Sequence, residues 1–280
     1  MMVIRTSGDM ELFAKTARKA GKKIAFVPTM GALHAGHQAL FREARKHGDV
    51  VVASIYVNPR QFNDPEDFQK YARDLEGDLK KCEKEGVDAV FAPTDSDVYP
   101  AEDSSSEIPV PEVASRLEGA SRPGHFDGVV AVVSRLFRIV HPHTAIFGLK
   151  DYQQVRVIEE MVAQQKMDVA ILRHPTVREK DGLAMSSRNV RLTPQGRQKA
   201  LIISKALKAA QYLFEKGERD AAVIRKKVEG AIVKEGLQID YVAIVDATTL
   251  EDLPVIDRHA LLAVAVFIDG VRLIDNGLLG

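Results

Sequence analysis

Short apolar segments alternate with amphipathic helical segments through the first 175 residues, and this alternation constrains the fold most strongly. The apolar segments at residues 24–27 and 50–57 are separated by a helical stretch that begins near Gly36 and ends at Gly48. Such a strand–helix–strand order favours parallel strands with helices on both faces. Further strands are predicted at residues 87–91, 145–147 and 169–172, and helices at residues 65–85, 129–140 and 151–165. The expected class is α/β, with a Rossmann-like, doubly wound parallel sheet.

The pattern changes after residue 175. Helices followed by strands indicate a smaller α+β domain. The helices are predicted at residues 194–215 and 220–235, and the strands at residues 241–245, 261–267 and 271–274. We therefore predict an N-terminal domain over residues 1–175 and an α+β C-terminal domain over residues 176–280, with a hinge at residues 174–176. The stretch at residues 101–107, rich in Ser and acidic residues, is predicted to be a solvated loop.

Composition argues against several classes of function. Lys+Arg and Asp+Glu each number 39, so the formal net charge is zero. A general nucleic-acid or anionic-membrane binder would carry a basic excess. Cys82 is the single cysteine, which excludes an internal disulfide framework and is typical of a reducing compartment. We expect neither a leader peptide nor a membrane span, and a cytoplasmic protein.

Residues 28–37 give the strongest local signal, because they follow a predicted strand and open a predicted helix. Ligands of α/β sheets bind beyond the carboxyl ends of the strands, and helix N-termini favour phosphate. His34 and His37 are spaced to share a face of this helix. A lone histidine here would more often cap or pack against the helix. Two histidines that frame Gly36 match the His-x-Gly-His signature of the nucleotidylyltransferase superfamily, which includes class I aminoacyl-tRNA synthetases.

Two later segments offer further phosphate ligands. Lys150 follows a predicted strand and can hold a phosphate as a point charge, while Asp151 can cap the next helix. Taken alone, this stretch is an ordinary helix start. The Met-Ser-Ser-Arg segment at residues 185–188 follows the hinge, and its hydroxyls and guanidinium can cover phosphate oxygens. It resembles a short counterpart of the Lys-Met-Ser-Lys-Ser loop of class I synthetases, and a polar hairpin or interdomain loop is an equal alternative.

Other polar residues carry weaker signals. Asn58 and Gln61 follow the second strand and can bind hydroxyl or carboxylate groups of a small polar substrate. The Gly/Pro loop at residues 122–128 is either a further polar cluster or only a turn. Asp78 is a candidate Mg²⁺ ligand, although a carboxylate in such a charged stretch is more often on a solvated helix face. Magnesium usually keeps its waters and binds nucleotide phosphates, so no all-protein cage is expected.

Five motifs occur in order along the predicted fold, at residues 27–37, 56–62, 122–129, 147–154 and 176–189. Together they resemble the pantothenate synthetase family of the His-x-Gly-His superfamily. The resemblance implies ATP-dependent condensation of (R)-pantoate with β-alanine through a pantoyl-adenylate, with release of AMP and pyrophosphate. It also implies Mg²⁺, a homodimer, an N-terminal catalytic domain that binds ATP and pantoate, and a C-terminal lid. The implied partners are these small molecules, without nucleic acid or membrane.

The resemblance also implies roles for the matching residues. The expected ATP contacts are Pro28, Thr29, Met30, Gly31, Ala32, Leu33, His34, Ala35, Gly36, His37, Gly148, Leu149, Lys150, Asp151, Val177, Met185, Ser186, Ser187 and Arg188. The expected catalytic residues are His34, His37, Lys150, Ser186, Ser187 and Arg188, with His37 as a proton donor. Pantoate is expected at Met30, Gln61 and Gln154, and β-alanine at Gln61.

Two other functions stay open at this point. A nucleotidylyltransferase that transfers AMP to a phosphate-containing acceptor would share the His-x-Gly-His element. Gln61, Gln154 and the Met-Ser-Ser-Arg segment disfavour it through the family resemblance. A non-catalytic nucleotide- or RNA-binding module is the second alternative, and the zero net charge and the complete set of phosphate ligands argue against it.

Overall fold

A computed structural model describes residues 1–100 and 108–280, so the predicted loop at residues 101–107 lies outside the described residues. The chain forms two compact units. The first unit contains residues 1–149 and 154–175, and the second unit contains residues 150–153 and 176–280. The short segment at residues 150–153 therefore packs with the second unit, although the strand before it belongs to the first.

Six strands form the sheet of the first unit. They are β1 (Met2–Ile4), β2 (Ile24–Thr29), β3 (Val50–Ile55), β4 (Ala89–Phe91), β5 (Thr144–Gly148) and β6 (Ala170–His174). All are parallel, in the order β1-β4-β3-β2-β5-β6, which confirms the predicted α/β class. The order changes direction at β2, because β3 lies on one side of it and β5 on the other. Such a switch point is where open α/β sheets bind ligands, beyond the carboxyl ends of the strands.

Helices cover both faces of this sheet. They are α1 (Ser7–Lys19), α2 (Ala35–His47), α3 (Pro65–Gln69), α4 (Leu75–Lys84), α5 (Asp95–Val98), α6 (Leu117–Ser121), α7 (His125–Val140) and α8 (Tyr152–Gln164). Successive side chains of β2 point to opposite layers. Ala25 packs in a buried cluster with Phe41 of α2 and Cys82 of α4. Phe26 meets the ring of Phe137 of α7 edge-on, at a centroid distance of 6.3 Å.

The predicted single helix over residues 65–85 is wrong, because two helices occupy this stretch. Arg73 closes the first of them by donating to the main-chain oxygens of Phe68 and Tyr71, both at 3.1 Å. The carboxylate of Asp74 then accepts the N–H of Gly77 at 2.9 Å and starts α4. Polar side chains thus satisfy the backbone at both ends of the break.

The second unit is an α+β fold, as predicted. Its strands are β7 (Gln238–Asp246), β8 (Ala260–Ile268) and β9 (Val271–Leu279), and its helices are α9 (Pro194–Glu215) and α10 (Ala221–Lys234). The three strands are antiparallel with β8 in the centre. Leu262 and Val264 of β8 are buried with Ile203 of α9 and Ile224 of α10. Across both described stretches of the chain, no helix is long and apolar enough to cross a lipid bilayer.

A turn after β7 rests on the carboxylate of Asp246. Its Oδ1 accepts the N–H groups of Thr248 at 2.7 Å and Thr249 at 2.9 Å, and its Oδ2 accepts Nε of Arg258 at 2.6 Å. These donors, Thr249 foremost and then Arg258, lower the pKa of Asp246 to about 2. The hydrogen bonds that lower this pKa stabilise the fold only while the carboxylate is ionised. The contribution is therefore complete above about pH 5 and is lost as the pH falls toward about 2.

We expect Asp246→Asn to lower the free energy of unfolding by roughly 1–2 kcal/mol at about pH 7, and by about half as much near pH 3. Urea titrations of both proteins at the two pH values measure this difference. Asp257→Asn is the matched control, since Asp257 also pairs with Arg258 but its side chain is 64% exposed. That control is expected to change stability by less than about 0.5 kcal/mol. An Asp246→Asn effect that is equal at both pH values would contradict this account.

Candidate active site

Two histidines cap the N-terminus of α2, directly after the turn that follows β2. Nδ1 of His34 accepts the N–H of Gly36 at 3.1 Å, and Nδ1 of His37 accepts the N–H of His34 at 3.2 Å. The two ring centroids are 4.1 Å apart, with an interplanar angle of 35°. Because each Nδ1 accepts a backbone proton, the proton of each neutral ring is on Nε2. Nε2 of both rings is therefore a hydrogen-bond donor.

This pairing changes what the helix start offers to an anion. The helix start was expected to favour phosphate, and two of its N–H groups, those of His34 and Gly36, bond to the histidine rings. The Nε2 donors of the two rings lie at the same helix start, at the positive end of the α2 dipole. The site therefore depends on side chains that the backbone holds in one tautomer.

The turn between β2 and α2 is fixed at both of its ends. Gly31 has φ +79° and Ala32 has φ +49°, in the left-handed region that glycine adopts readily and other residues seldom do. Oγ1 of Thr29 accepts the N–H of Gly31 at 3.2 Å. Oδ1 of Asp78 accepts the N–H of Leu33 at 2.8 Å. These two bonds hold the backbone path that leads to the paired histidines.

Asp78 does not fit as a ligand of hydrated Mg²⁺ in this arrangement. It is 1% exposed, and its Oδ1 also accepts from Nζ of Lys81 at 3.3 Å. Its Oδ2 has no hydrogen-bond partner but is covered by Gly31, where an added Cβ would lie 2.9 Å away. A bound Mg²⁺ keeps several water ligands, and the covered position of Oδ2 has no space for a hydrated ion. Within residues 1–100 and 108–280, no three His, Cys, Asp or Glu side chains group into a metal site.

The turn after β3 carries Gln61, in the 3₁₀ segment Pro59–Gln61. Its Nε2 lies 3.0 Å from Sδ of Met30, so two of the three predicted pantoate residues are in contact. Gln154, the third, is half-buried in the first turn of α8. Asn58 was expected to face a substrate, but it is completely buried and its amide bonds to protein groups. That prediction is wrong because the side chain turns inward to support Gln61.

The loop at residues 122–128 is more than a turn, because it holds the backbone of Gln61. The main-chain oxygen of Gln61 accepts from Nδ1 of His125 at 2.8 Å and from Arg122 at 3.3 Å. Gly128 packs against the same turn, where an added Cβ would lie only 2.4 Å from the oxygen of Arg60. Sequence reasoning missed this support, and the Gly/Pro/His composition of the loop was its only signal.

In the second unit, the strands hold the segment that carries Lys150. Nδ2 of Asn276, in β9, donates to the main-chain oxygen of Lys150 at 2.8 Å. The hydroxyl of Tyr152 donates to the main-chain oxygen of Ala247, just after β7, at 2.9 Å. The Lys150 ammonium lies 3.5 Å from the Asp151 carboxylate, a spacing that leaves it able to move toward a stronger anion.

A hairpin over residues 177–185 presents the Met-Ser-Ser-Arg segment. The N–H of Met185 donates to the oxygen of Val177 at 3.0 Å, which places two predicted ATP contacts side by side. At its base, Arg178 forms a two-pronged ion pair with buried Asp275, at 2.6 and 2.9 Å. Oγ of Ser186 then accepts the N–H of Arg188 at 3.2 Å and starts the 3₁₀ turn Ser187–Arg191. The predicted hydroxyls and guanidinium of residues 186–188 therefore lie on one short turn.

The model of the family described as Pantoate-beta-alanine ligase matches residues 2–278 of the chain. The chain belongs to this family. Among curated pantoate-beta-alanine ligases, the pantothenate synthetase of Thermotoga neapolitana is 50% identical over all of both chains. The pantothenate synthetase of Geobacter sulfurreducens is also 50% identical, over 100% of this chain and 99% of its own. The resemblance inferred from the five motifs is thereby confirmed, and the chain is a ligase.

Solved structures of pantoate-beta-alanine ligases share the fold. The pantothenate synthetase of Thermus thermophilus gives a TM-score of 0.92 at 40% identity, with 99% of each chain covered. The enzyme of Francisella tularensis, described as complexed with Beta-gamma ATP and Beta-alanine, gives a TM-score of 0.81 at 35% identity. That comparison covers 99% of this chain and 97% of the other.

Proposed function

We propose that this chain condenses (R)-pantoate with β-alanine at the expense of ATP, through a pantoyl-adenylate, and releases AMP and pyrophosphate. The observation that carries the proposal is the pair of His34 and His37, which places two ring donors after β2 at the switch point of the sheet. The family supports the choice of substrates, and a relative is described as complexed with an ATP compound and β-alanine.

The first step needs placement more than base catalysis. The carboxylate of pantoate is ionised near neutral pH, because an ordinary carboxyl pKa is about 4. It attacks the α-phosphorus of ATP, a new P–O bond forms, and the bond to the β-phosphate breaks as pyrophosphate leaves. The protein aligns the reactants and stabilises the charge on phosphoryl oxygens. We assign that stabilisation to His34, His37, Lys150, Ser186, Ser187 and Arg188.

The second step is attack of the β-alanine amine on the activated carbonyl. The amine attacks in its deprotonated form and a C–N bond forms. The bond between the acyl carbon and the bridging oxygen breaks, AMP leaves with that oxygen, and the nitrogen releases a proton to solvent. Gln61 donates from Nε2 to an oxygen of pantoate, beside Met30, with Gln154 as the third pantoate contact. The remaining proposed ATP contacts are Pro28, Thr29, Gly31, Ala32, Leu33, Ala35, Gly36, Gly148, Leu149, Asp151, Val177 and Met185.

Magnesium enters this proposal with ATP, bound to its phosphate oxygens. On the family resemblance we also propose a homodimer, a catalytic domain over residues 1–175 and a lid over residues 176–280. We also propose a cytoplasmic location, because a chain with the single cysteine Cys82 has no internal disulfide framework, which is typical of a reducing compartment.

Pyrophosphate exchange separates the proposed reaction from AMP transfer to a phosphate-containing acceptor. We expect labelled pyrophosphate to enter ATP only when pantoate is present, because the pantoyl-adenylate forms reversibly on the protein. β-Alanine is left out, so that the adenylate is not consumed. Exchange that requires a phosphate-containing acceptor and ignores pantoate would favour the nucleotidylyltransferase alternative and contradict the proposal.

A further inference from the structure

A chain of hydrogen bonds runs through the buried amide of Asn58. Its Oδ1 accepts from the hydroxyl of Tyr99 at 3.0 Å and from the N–H of Arg60 at 3.3 Å. Its Nδ2 donates to the main-chain oxygen of Gly128 at 3.0 Å and to Oε1 of Gln61 at 3.1 Å. Asn58 is 0% exposed, so protein groups surround its amide completely.

The direction of this chain is fixed by two backbone groups. The N–H of Arg60 can only donate and the carbonyl of Gly128 can only accept, so they settle which end of the Asn58 amide is oxygen. Nδ2 of Asn58 must then donate to Gln61, which makes Oε1 of Gln61 the acceptor. The hydroxyl of Tyr99 must donate to Asn58 for the same reason.

This direction leaves Nε2 of Gln61 as the donor that faces Met30, with Sδ at 3.0 Å. A thioether is a weak acceptor, so a ligand oxygen that reaches this point gains a stronger hydrogen bond than the one it displaces. The subsite at Gln61 is therefore complementary to a hydroxyl or carboxylate oxygen. A ligand group that can only donate would form no hydrogen bond here, because it would face the N–H protons of Gln61.

We propose that Tyr99 is a positioning residue for substrate recognition: together with the N–H of Arg60 and the carbonyl of Gly128, its hydroxyl anchors the Asn58 amide, which in turn holds the Gln61 amide with Nε2 toward the substrate, so that the subsite selects an acceptor oxygen of pantoate. The identity of that substrate rests on the proposed function. The polarity of the Tyr99–Asn58–Gln61 chain rests on the hydrogen bonds alone.

The surroundings of Tyr99 suit a permanent donor. The guanidinium of Arg60 lies 3.8 Å from its ring centroid and that of Arg135 lies 5.0 Å away, so cation–π contacts hold the ring. Burial is the main cause that raises the pKa of Tyr99 to about 12, and the hydroxyl keeps its proton near neutral pH. The main-chain bond from His125 holds the Gln61 turn independently, so loss of the Tyr99 hydroxyl leaves the turn in place.

Tyr99→Phe tests the proposal, because it removes the hydroxyl and keeps the ring that both guanidinium groups contact. We expect the pantoate KM to rise about 3- to 10-fold, as for one hydrogen bond, with the ATP KM and kcat within about two-fold. Tyr56→Phe is the matched control. It removes the same atom from a neighbouring tyrosine, whose hydroxyl donates to Asp95 at 2.9 Å, and should leave the pantoate KM unchanged.

Two mono-deoxy analogues of pantoate, one lacking each hydroxyl, add a readout that a purely structural role would not move. If Gln61 binds a hydroxyl of pantoate, Tyr99→Phe should no longer raise the KM of the analogue that lacks this hydroxyl. If Gln61 binds the carboxylate, Tyr99→Phe should raise the KM of both analogues. A pantoate KM within about two-fold of wild type in Tyr99→Phe, or an equal rise in Tyr56→Phe, overturns the proposal.

The side-chain amide resonances of Gln61 provide a test that needs no activity. They are assigned by their absence in Gln61→Glu, and we expect them to shift and to exchange faster with solvent in Tyr99→Phe but not in Tyr56→Phe. Unchanged resonances in Tyr99→Phe would overturn the positioning role. A wild-type protein that forms no pantothenate would defeat the proposed function instead, and the resonance test would still decide whether the Tyr99 hydroxyl anchors the Gln61 amide.

Discussion

His37→Ala is expected to slow pantoyl-adenylate formation about 100- to 1000-fold, the usual loss when one preorganised donor to a transition state is removed. The ring Nε2 is such a donor, because Nδ1 already accepts the N–H of His34 at 3.2 Å. The same change removes that cap and should cost only about 1 kcal/mol of stability. Single-turnover release of pyrophosphate measures the first effect, and urea unfolding measures the second.

Two conservative variants divide the roles of His37. In His37→Asn, the side-chain oxygen can take the place of Nδ1 and accept from His34, which should restore stability but not activity. In His37→Gln, the side-chain nitrogen can take the place of Nε2 and should recover part of the rate. His47→Ala, at the exposed end of the same helix, is the matched control and should release pyrophosphate at the wild-type rate. Wild-type rates in a folded His37→Ala protein would refute the role given to this ring.

Gln61→Glu should raise the pantoate KM about 100-fold or more and leave the ATP KM within about two-fold. The carboxylate can still accept from Asn58 at the position of Oε1, where the distance is 3.1 Å, so the turn is kept. The substitution replaces the Nε2 donor next to Met30 with an anionic oxygen. This oxygen repels an acceptor oxygen of the substrate. Steady-state kinetics with each substrate varied in turn gives both KM values.

Gln69→Glu controls for the added negative charge, since it makes the same change on an exposed residue at the end of α3. Its pantoate KM should equal that of wild type. If Gln61→Glu bound pantoate as well as wild type does, the donor role of Gln61 would be untenable. The further inference about Tyr99 would then lose its functional consequence, although its hydrogen bonds would stand.

The order of apolar and amphipathic segments, alternating up to residue 175 and with helices before strands after it, was enough to predict the class of both units. It failed where the pattern is short or interrupted. β1 has three residues, two of them exposed, and offers too little periodicity to recognise. β9 was predicted only to residue 274, because Asp275 interrupts the apolar pattern. Asp275 is nevertheless buried, since Arg178 neutralises it from a distant part of the chain, and local sequence does not reveal such a partner.

The site was predictable where its residues are contiguous and not where they meet through the fold. The spacing of His34 and His37 follows from a helix start, and the structure adds that the rings cap it themselves. Asn58 and Gln61 looked equivalent after the same strand, yet only Gln61 contacts Met30. The difference comes from the partners of the buried Asn58 amide, which include the main-chain oxygen of Gly128 and the hydroxyl of Tyr99, 41 residues further along the chain. No periodicity encodes those contacts.

Mass spectrometry of the products tests the central claim most directly. The chain is incubated with ATP, Mg²⁺, (R)-pantoate and β-alanine, and each omission serves as a control. The account predicts pantothenate together with AMP and pyrophosphate in equal amounts, and none of the three when pantoate is left out. A folded protein that produces no pantothenate, or that releases ADP and phosphate in place of AMP and pyrophosphate, would contradict it.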